Sequence, residues 1–212
     1  FFDKKIGMVV SMDTYNSNTH FKGFKYPQLI IKKIIRSSLS DLICKGVTPK
    51  YYFLSGGGNK NVFTKKNLNL ISKSLKEEQK KYSIQIGGGD TVYSKIPSFC
   101  VTVIGFSEKI VERNNAKIND DIYVTGNLGD SFLGLKLMNK RNKLKSKLKK
   151  YFINKHYCPD IPFHFSKKLK NFANTSIDIS DGLISDLEKL INNQKLYFKI
   201  NLKDIPISNE LR

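Results

Sequence analysis

Acidic residues are scarce in this sequence: 18 Asp and Glu stand against 37 Lys and Arg, a formal charge of +19 over 212 residues. Such an excess of cations brings sequence-independent affinity for phosphate backbones, so nucleic-acid binding is one function class to weigh. Alanine is scarcer still. Only Ala116 and Ala173 occur, beside 19 asparagines and many lysines and isoleucines, a bias that an AT-rich genome produces whatever the function. The densest basic run, Lys140 to Lys150 (KRNKLKSKLKK), has no aromatic side chain interleaved for base stacking and reads as a solvated face. The three cysteines, Cys44, Cys100 and Cys158, form no C-x-x-C pair, which excludes a disulfide framework and a zinc knuckle. No apolar run approaches the roughly 20 residues that cross a bilayer. The opening FFDKKIGMVV lacks the order of a secretory signal. The expectation is a soluble, cytoplasmic protein. Neither G-x-x-x-x-G-K-[ST] nor a strand followed by GxGxxG is present, so any ATP site lies outside the P-loop and dinucleotide folds. No Ser/His/Asp or Cys/His arrangement is apparent, and His156, Cys158 and His164 are too loosely spaced to argue for zinc.

What is present is a regular alternation. Met8 to Met12 reads as a buried strand ending on Asp13, and Leu29 to Ile43 has helical spacing with Gly46 and Pro49 beyond it. Tyr51 to Leu54 reads as a strand, Leu68 to Tyr82 as a helix and Phe99 to Ile104 as a further strand. Together they suggest a ferredoxin-like split βαβ sheet, an α+β unit over residues 1–107. A polar connection follows, and residues 108–212 read as a second, α/β unit. It has strands at Ile122 to Thr125, Ser176 to Ile179 and Leu196 to Ile200, and helices after Asp130, from about Pro162 to Asn171, and from Leu183 to about Asn193.

The few carboxylates are oddly placed. Asp13, Asp41, Asp90, Asp130, Asp178 and Asp181 stand where strands or helices meet glycine-rich or small-residue turns. Carboxylates held by a rigid scaffold yet open to solvent suit Mg²⁺, a hard ion held by a few carboxylates, waters and substrate phosphates. Glycines beside them let backbone N–H groups approach an anion. Aspartates also make good turns and caps with no metal, and Asp181 could simply cap the helix at Leu183. The stretch IQIGGGDTV, Ile84 to Val92, is by itself equally a turn and a phosphate site.

In order along the chain, MDTYNSNTHF (12–21), SLSDLICKGVTP (38–49), GGDT (88–91), Arg113, VTGNLGD (124–130) and IDISDGL (177–183) resemble the thiamine-monophosphate kinase family, within the ATP-binding superfamily of aminoimidazole ribonucleotide synthetase. The resemblance implies an N-terminal domain whose sheet pairs with a second copy to form a β-barrel, followed by a C-terminal α/β domain. It implies Mg²⁺ ions held by Asp13, Asp41, Asp90, Asp178 and Asp181, ATP contacts from Gly89, Asp90, Arg113 and Ser180, and His20 near thiamine monophosphate. The reaction implied is direct transfer of the ATP γ-phosphoryl to the substrate's phosphate, with Arg113 stabilising charge. Both partners are anionic phosphates, so charge neutralisation and in-line positioning suffice and no protein nucleophile is needed.

Two departures qualify this. Ser17 stands where the family usually has Glu, and motifs expected before Asp13 and after the second unit are absent, which leads to the expectation of a fragment that does not turn over alone. Other superfamily reactions (amidine synthesis of the aminoimidazole ribonucleotide or formylglycinamidine type, or selenophosphate synthesis), a nucleic-acid-binding protein and a non-catalytic remnant are the rival readings.

Overall fold

The computed structural model describes residues 1–139 and 144–212; the first four residues of the basic run, 140–143, lie outside it. Six strands form one sheet: β1 (Phe2–Asp3), β2 (Met8–Asn16), β3 (Thr48–Gly58), β4 (Gln85–Gly88), β5 (Thr91–Tyr93) and β6 (Ser98–Phe106). Their order is β1-β2-β6-β3-β4, with β5 also paired to β3. β2 and β3 both run antiparallel to β6, so β2 and β3 are parallel with β6 inserted between them, which is the split βαβ that the alternation predicts. A second crossover follows, since β3 pairs in parallel with β4. The element order is β-β-α-β-α-β-β-β, unlike the ferredoxin-like β-α-β-β-α-β.

One face of this sheet is covered by α1 (Pro27–Ile43) and α2 (Lys65–Tyr82). Helix α1 starts on a proline, whose fixed φ suits the first turn. It buries Ile30, Ile31, Ile34, Ile35, Leu39 and Leu42, the i, i+3, i+4 stripe of its sequence. Beneath it lie Val101 and Val103 of β6, fully buried on alternate residues; each such side chain contributes about 1.5–3 kcal/mol. The helix α2 is begun by Thr64, whose hydroxyl accepts the Asn67 N–H at 3.2 Å. It is clamped to α1 by a buried two-point pair, Arg36 Nε and Nη2 to the two Glu78 oxygens at 2.8 and 2.9 Å. Hydrophobic periodicity gives no hint of this pair, nor of the Lys32–Glu77 pair and the Ser74 bond to the Gln28 carbonyl that cross the same contact.

Among the described residues no helix covers the opposite sheet face. Met12 of β2 and Phe53 of β3, aligned in one row across Thr102 of β6, are 66% and 41% exposed.

Beyond β6 the described residues hold helices α3 (Asp130–Asn139), α4 (Ser146–Tyr157), α5 (Ser166–Leu169) and α6 (Leu183–Leu190). Several expectations are corrected here. The segments 122–125, 176–179 and 196–200 form no ladder. Strands need a pairing neighbour, and these segments have none among the described residues; Tyr123 and Tyr197 are 87% and 93% exposed, while Leu196, Phe198 and Ile200 are half-buried. The helix expected over Pro162 to Asn171 shrinks to the four residues of α5. Strand β2 runs three residues past Asp13. The described end of the basic run begins α4, an unexpected helix that exposes Lys147 and Lys150 and buries Phe152, His156 and Tyr157. No helix among the described residues is long and apolar enough to cross a membrane.

Helix α4 docks on α1 through Lys33, whose Nζ lies 2.7 Å from Nε2 of buried His156. Two basic groups in contact cannot both be charged cheaply. Burial, then the Lys33 charge, pulls His156 down to about 4, so it is neutral at pH 7 with Nε2 accepting from the ammonium. A lowered folded-state pKa contributes stability that is present above pH 6.5 and lost as pH falls through about 4, on the order of 3 kcal/mol in all. Replacing His156→Gln should flatten the acid limb of stability between pH 6.5 and 4 in urea titrations; an unchanged limb would refute the assignment.

Candidate functional site

Period-two alternation puts Ser11, Asp13 and Tyr15 of β2 on the face covered by α1, opposite the helix's last turns. Tyr15 Oη donates to Asp13 Oδ2 at 3.0 Å and sits 3.0 Å from Ser38 Oγ. Ser11 Oγ donates to Asp41 Oδ2 at 2.5 Å. From the chain's second half, Asp178 reaches the same turn: its Oδ2 is 2.6 Å from Ser40 Oγ, and its Oδ1 is 4.0 Å from Cys44 Sγ. The structure thus gathers Asp13, Asp41 and Asp178 around the C-terminal turn of α1.

That gathering is electrostatically unfavourable. Asp41 lies at the negative end of the helix dipole, and α1 has no basic residue in its last turn. Burial, with further contributions from Asp13 and Asp178, pushes Asp41 up to about 6 against the pull of the Ser11 hydrogen bond. Lys45, whose charge is felt at Asp41, spends a hydrogen bond on the Ser176 carbonyl at 2.7 Å and not on a carboxylate. Hard oxygen donors with an unbalanced negative field fit a divalent cation such as Mg²⁺. Among the described residues no three His, Cys, Asp or Glu side chains form a ready-made metal cage. A hard ion that arrives with phosphate and water needs only one or two protein carboxylates.

The other expected residues are placed as follows. Asp90 lies across the sheet, past β6 and β3, and is exposed; its Oδ1 accepts the Thr91 N–H at 2.7 Å. Three strand spacings put its backbone about 14 Å from that of Asp13. Gly89 packs so tightly on β3 that a Cβ would come within 1.9 Å of the Leu54 carbonyl oxygen, so sheet packing alone demands glycine there. Gly87 is covered by the Phe53 ring, 2.7 Å from a would-be Cβ. His20 Nδ1 accepts the Asn16 N–H at 3.0 Å, which leaves Nε2 as the nitrogen that carries the proton in the neutral ring. Ser17, in the same loop, is buried and donates its N–H to the Pro97 carbonyl at 2.9 Å. Arg113 lines an open groove of about 490 Å³ with Phe2, Lys4 and Glu112, and its charge is felt at Lys45.

The SDG turn is organised by a residue that the sequence reading missed. Asp186 Oδ2 accepts the N–H groups of Ser180, Asp181 and Gly182 at 2.8, 2.9 and 3.1 Å. Asp181 does not cap α6; its carboxylate pairs with Lys189. With those N–H groups engaged, Ser180 has its hydroxyl to offer a ligand. Asp130 is buried and receives Ser208 Oγ at 2.6 Å and Tyr151 Oη at 3.0 Å, a structural assignment. Ser11, Ser40 and Tyr15 were also missed as carboxylate holders; the period-two spacing of Ser11, Asp13 and Tyr15 was the available signal.

Comparison with known proteins defines the class first. Residues 2–107 match the family model "AIR synthase related protein, N-terminal domain". Structures of HypE, a hydrogenase maturation protein, share the fold, one of them at TM-score 0.71 and 17% identity. The chain is 38% identical to the thiamine-monophosphate kinase of Buchnera aphidicola subsp. Schizaphis graminum, over 96% of this chain and 63% of that protein. It is 31% identical to that of Leptospira interrogans, over 97% and 68%. The crystal structure of the Aquifex aeolicus enzyme superposes at TM-score 0.91 and 27% identity, over 98% of this chain and 70% of that one. AaThiL complexed with AMPPCP and TMP superposes at 0.90, over 96% and 66%. The chain belongs to the thiamine-monophosphate kinase family. It spans about 63% of the length of the Buchnera relatives.

The raised Asp41 pKa has a testable sign. Relative to an ordinary carboxyl at 3.8, the folded metal-free protein favours the proton, so Asp41's contribution is present below pH 3.8 and lost as pH rises through about 6. Asp41→Asn should therefore stabilise the metal-free protein at pH 7.5 by about 1–2 kcal/mol, and not at pH 4. Thermal melts in EDTA at the two pH values measure this; equal effects at both would contradict it.

Proposed function

We propose that the protein phosphorylates thiamine monophosphate to thiamine diphosphate, with ATP as phosphoryl donor. The observation that carries this is the coincidence of the Asp13, Asp41 and Asp178 gathering with motifs of the family, on a fold that superposes on AaThiL complexed with AMPPCP and TMP over 96% of this chain.

In this reading Asp13, Asp41 and Asp178 hold magnesium at the polyphosphate, and Asp90 and Asp181 complete the set from the sheet edge and the SDG turn. When bound, the metal supplies neutralisation of phosphate charge. The chain's own groups do the positioning. Ser11, Tyr15 and Ser40 fix the carboxylates in place. The Ser180 hydroxyl and the backbone at Gly89 contact the nucleotide, and Arg113 counters charge that develops in transfer. His20, with Nδ1 held by Asn16, directs an Nε2–H donor at the substrate's phosphate. Because both reacting groups are phosphates, this transfer calls for no protein nucleophile.

We further read the chain as two units, residues 1–107 and 108–212; the end of the family match at residue 107 supports the boundary. The uncovered sheet face, with Met12 and Phe53 exposed, supports pairing with a second copy into a shared barrel, since an apolar sheet face of this kind is seldom left in water.

The test measures binding and turnover separately. Calorimetry should show Mg²⁺-dependent binding of AMPPCP by this chain, weakened at least about 10²-fold in Asp13→Asn. A form spanning the full length of the relatives should convert thiamine monophosphate and ATP to thiamine diphosphate and ADP, one for one. Turnover of a formylglycinamidine substrate or selenide instead, with none of thiamine monophosphate, would overturn the proposal.

A further inference from the structure

Lys45 follows α1 by two residues, at a crossing of three segments. Its backbone carbonyl accepts the Val111 N–H at 3.0 Å, and its half-buried side chain reaches the Ser176 carbonyl at 2.7 Å. Ser176 is two residues from Asp178, whose segment forms no ladder with any strand. Side-chain bonds carry this segment to α1: Ser40 and Cys44 on Asp178 itself, and Lys45 on the backbone before it. The Ser40 proton is shared with the Ser37 carbonyl, 2.8 Å away, and a thiol at 4.0 Å from Oδ1 is a weak donor. Of the three, Lys45 is the one charged donor, and the one that holds the segment by its backbone and not by an Asp178 oxygen.

The choice of acceptor matters. An ammonium bonded to Asp178 or Asp41 would occupy the oxygens a cation needs. Bonded to a peptide carbonyl, it fixes the segment and leaves both carboxylates open, while its charge lies close enough to both to offset some of their repulsion.

We infer that Lys45 is a positioning residue that ties the 176–178 segment to the end of α1 and so sets the separation of Asp41 and Asp178 at which a divalent cation is taken. This rests on the magnesium role proposed for those carboxylates. It acts through them and touches neither metal nor substrate.

The test is titration of the chain with Mg²⁺ alone, followed by the shift in melting temperature, for wild type, Lys45→Met and Lys45→Arg. The expected result is a saturable rise for wild type, a midpoint at least fivefold higher in Mg²⁺ for Lys45→Met, and return to within twofold of wild type in Lys45→Arg, whose guanidinium keeps charge and donor. A merely structural role would lower the metal-free melting temperature and leave the midpoint unmoved; that outcome, or a Lys45→Arg variant that behaves as Lys45→Met, overturns the inference and leaves the magnesium site standing. If wild type shows no saturable response, the magnesium reading fails and this inference with it. A cooperative transition in the metal-free Lys45→Met protein shows that it has folded; should it be lost, the same midpoints are compared between wild type and Lys45→Gln, which keeps a neutral donor and is expected to lie between wild type and an untethered site, equality with wild type again overturning the inference.

Discussion

Mutual repulsion among Asp13, Asp41 and Asp178 is the constraint around which this molecule is arranged. Three carboxylates in a chain with only 18 acidic residues meet at the negative end of a helix dipole, where Asp13 and Asp178 add to the cost of ionising Asp41. Asp41 registers the cost, its pKa pushed up to about 6 chiefly by burial and further by its neighbours. A fold selected for stability alone would not collect its few acids there. The rest of the scaffold keeps them together: β2 presents Ser11, Asp13 and Tyr15 on one face, α1 is locked over that face by its isoleucine stripe and by the Arg36–Glu78 pair, and Lys45 and Ser40 bring in the segment of Asp178.

The sheet and the site have complementary rigidity. β2, β6 and β3 form a continuous antiparallel ladder, which fixes Asp13, whereas Asp178 and Asp181 sit on unladdered chain held by side-chain bonds. The site thus joins a wall fixed by the sheet to one held by side-chain bonds. In the SDG turn, three backbone N–H groups are already satisfied by Asp186, so the turn keeps its shape without a ligand.

Much of the first half was legible in the sequence, because α1, α2, β3 and β6 each carry a periodic apolar pattern, and periodicity reports burial directly. The second half was less so. Residues 122–125, 176–179 and 196–200 have the composition of strands, but pairing is a property of two segments, and one segment's composition does not reveal a partner. Helix α4 was hidden by its lysines, of which Lys147 and Lys150 are exposed while Phe152 and His156 are buried. Within the site, the aspartates stood out by their rarity and their turns, whereas their holders Ser11, Ser40 and Lys45 are ordinary residues whose roles exist only in three dimensions. Gly89 shows the converse: a glycine that sequence associates with phosphate is required here by the Leu54 carbonyl, whatever the ligand.

The central claim is that the carboxylates at the end of α1 form a cation site for a polyphosphate. Anomalous diffraction from crystals grown with Mn²⁺ and AMPPCP tests it most directly. The account predicts manganese peaks at about 2.0–2.4 Å from oxygens of Asp13, Asp41 or Asp178, bridged to the nucleotide's phosphates. Nucleotide bound with no metal at these three residues, or metal confined to the exposed Asp181 and Lys189 region, would contradict it.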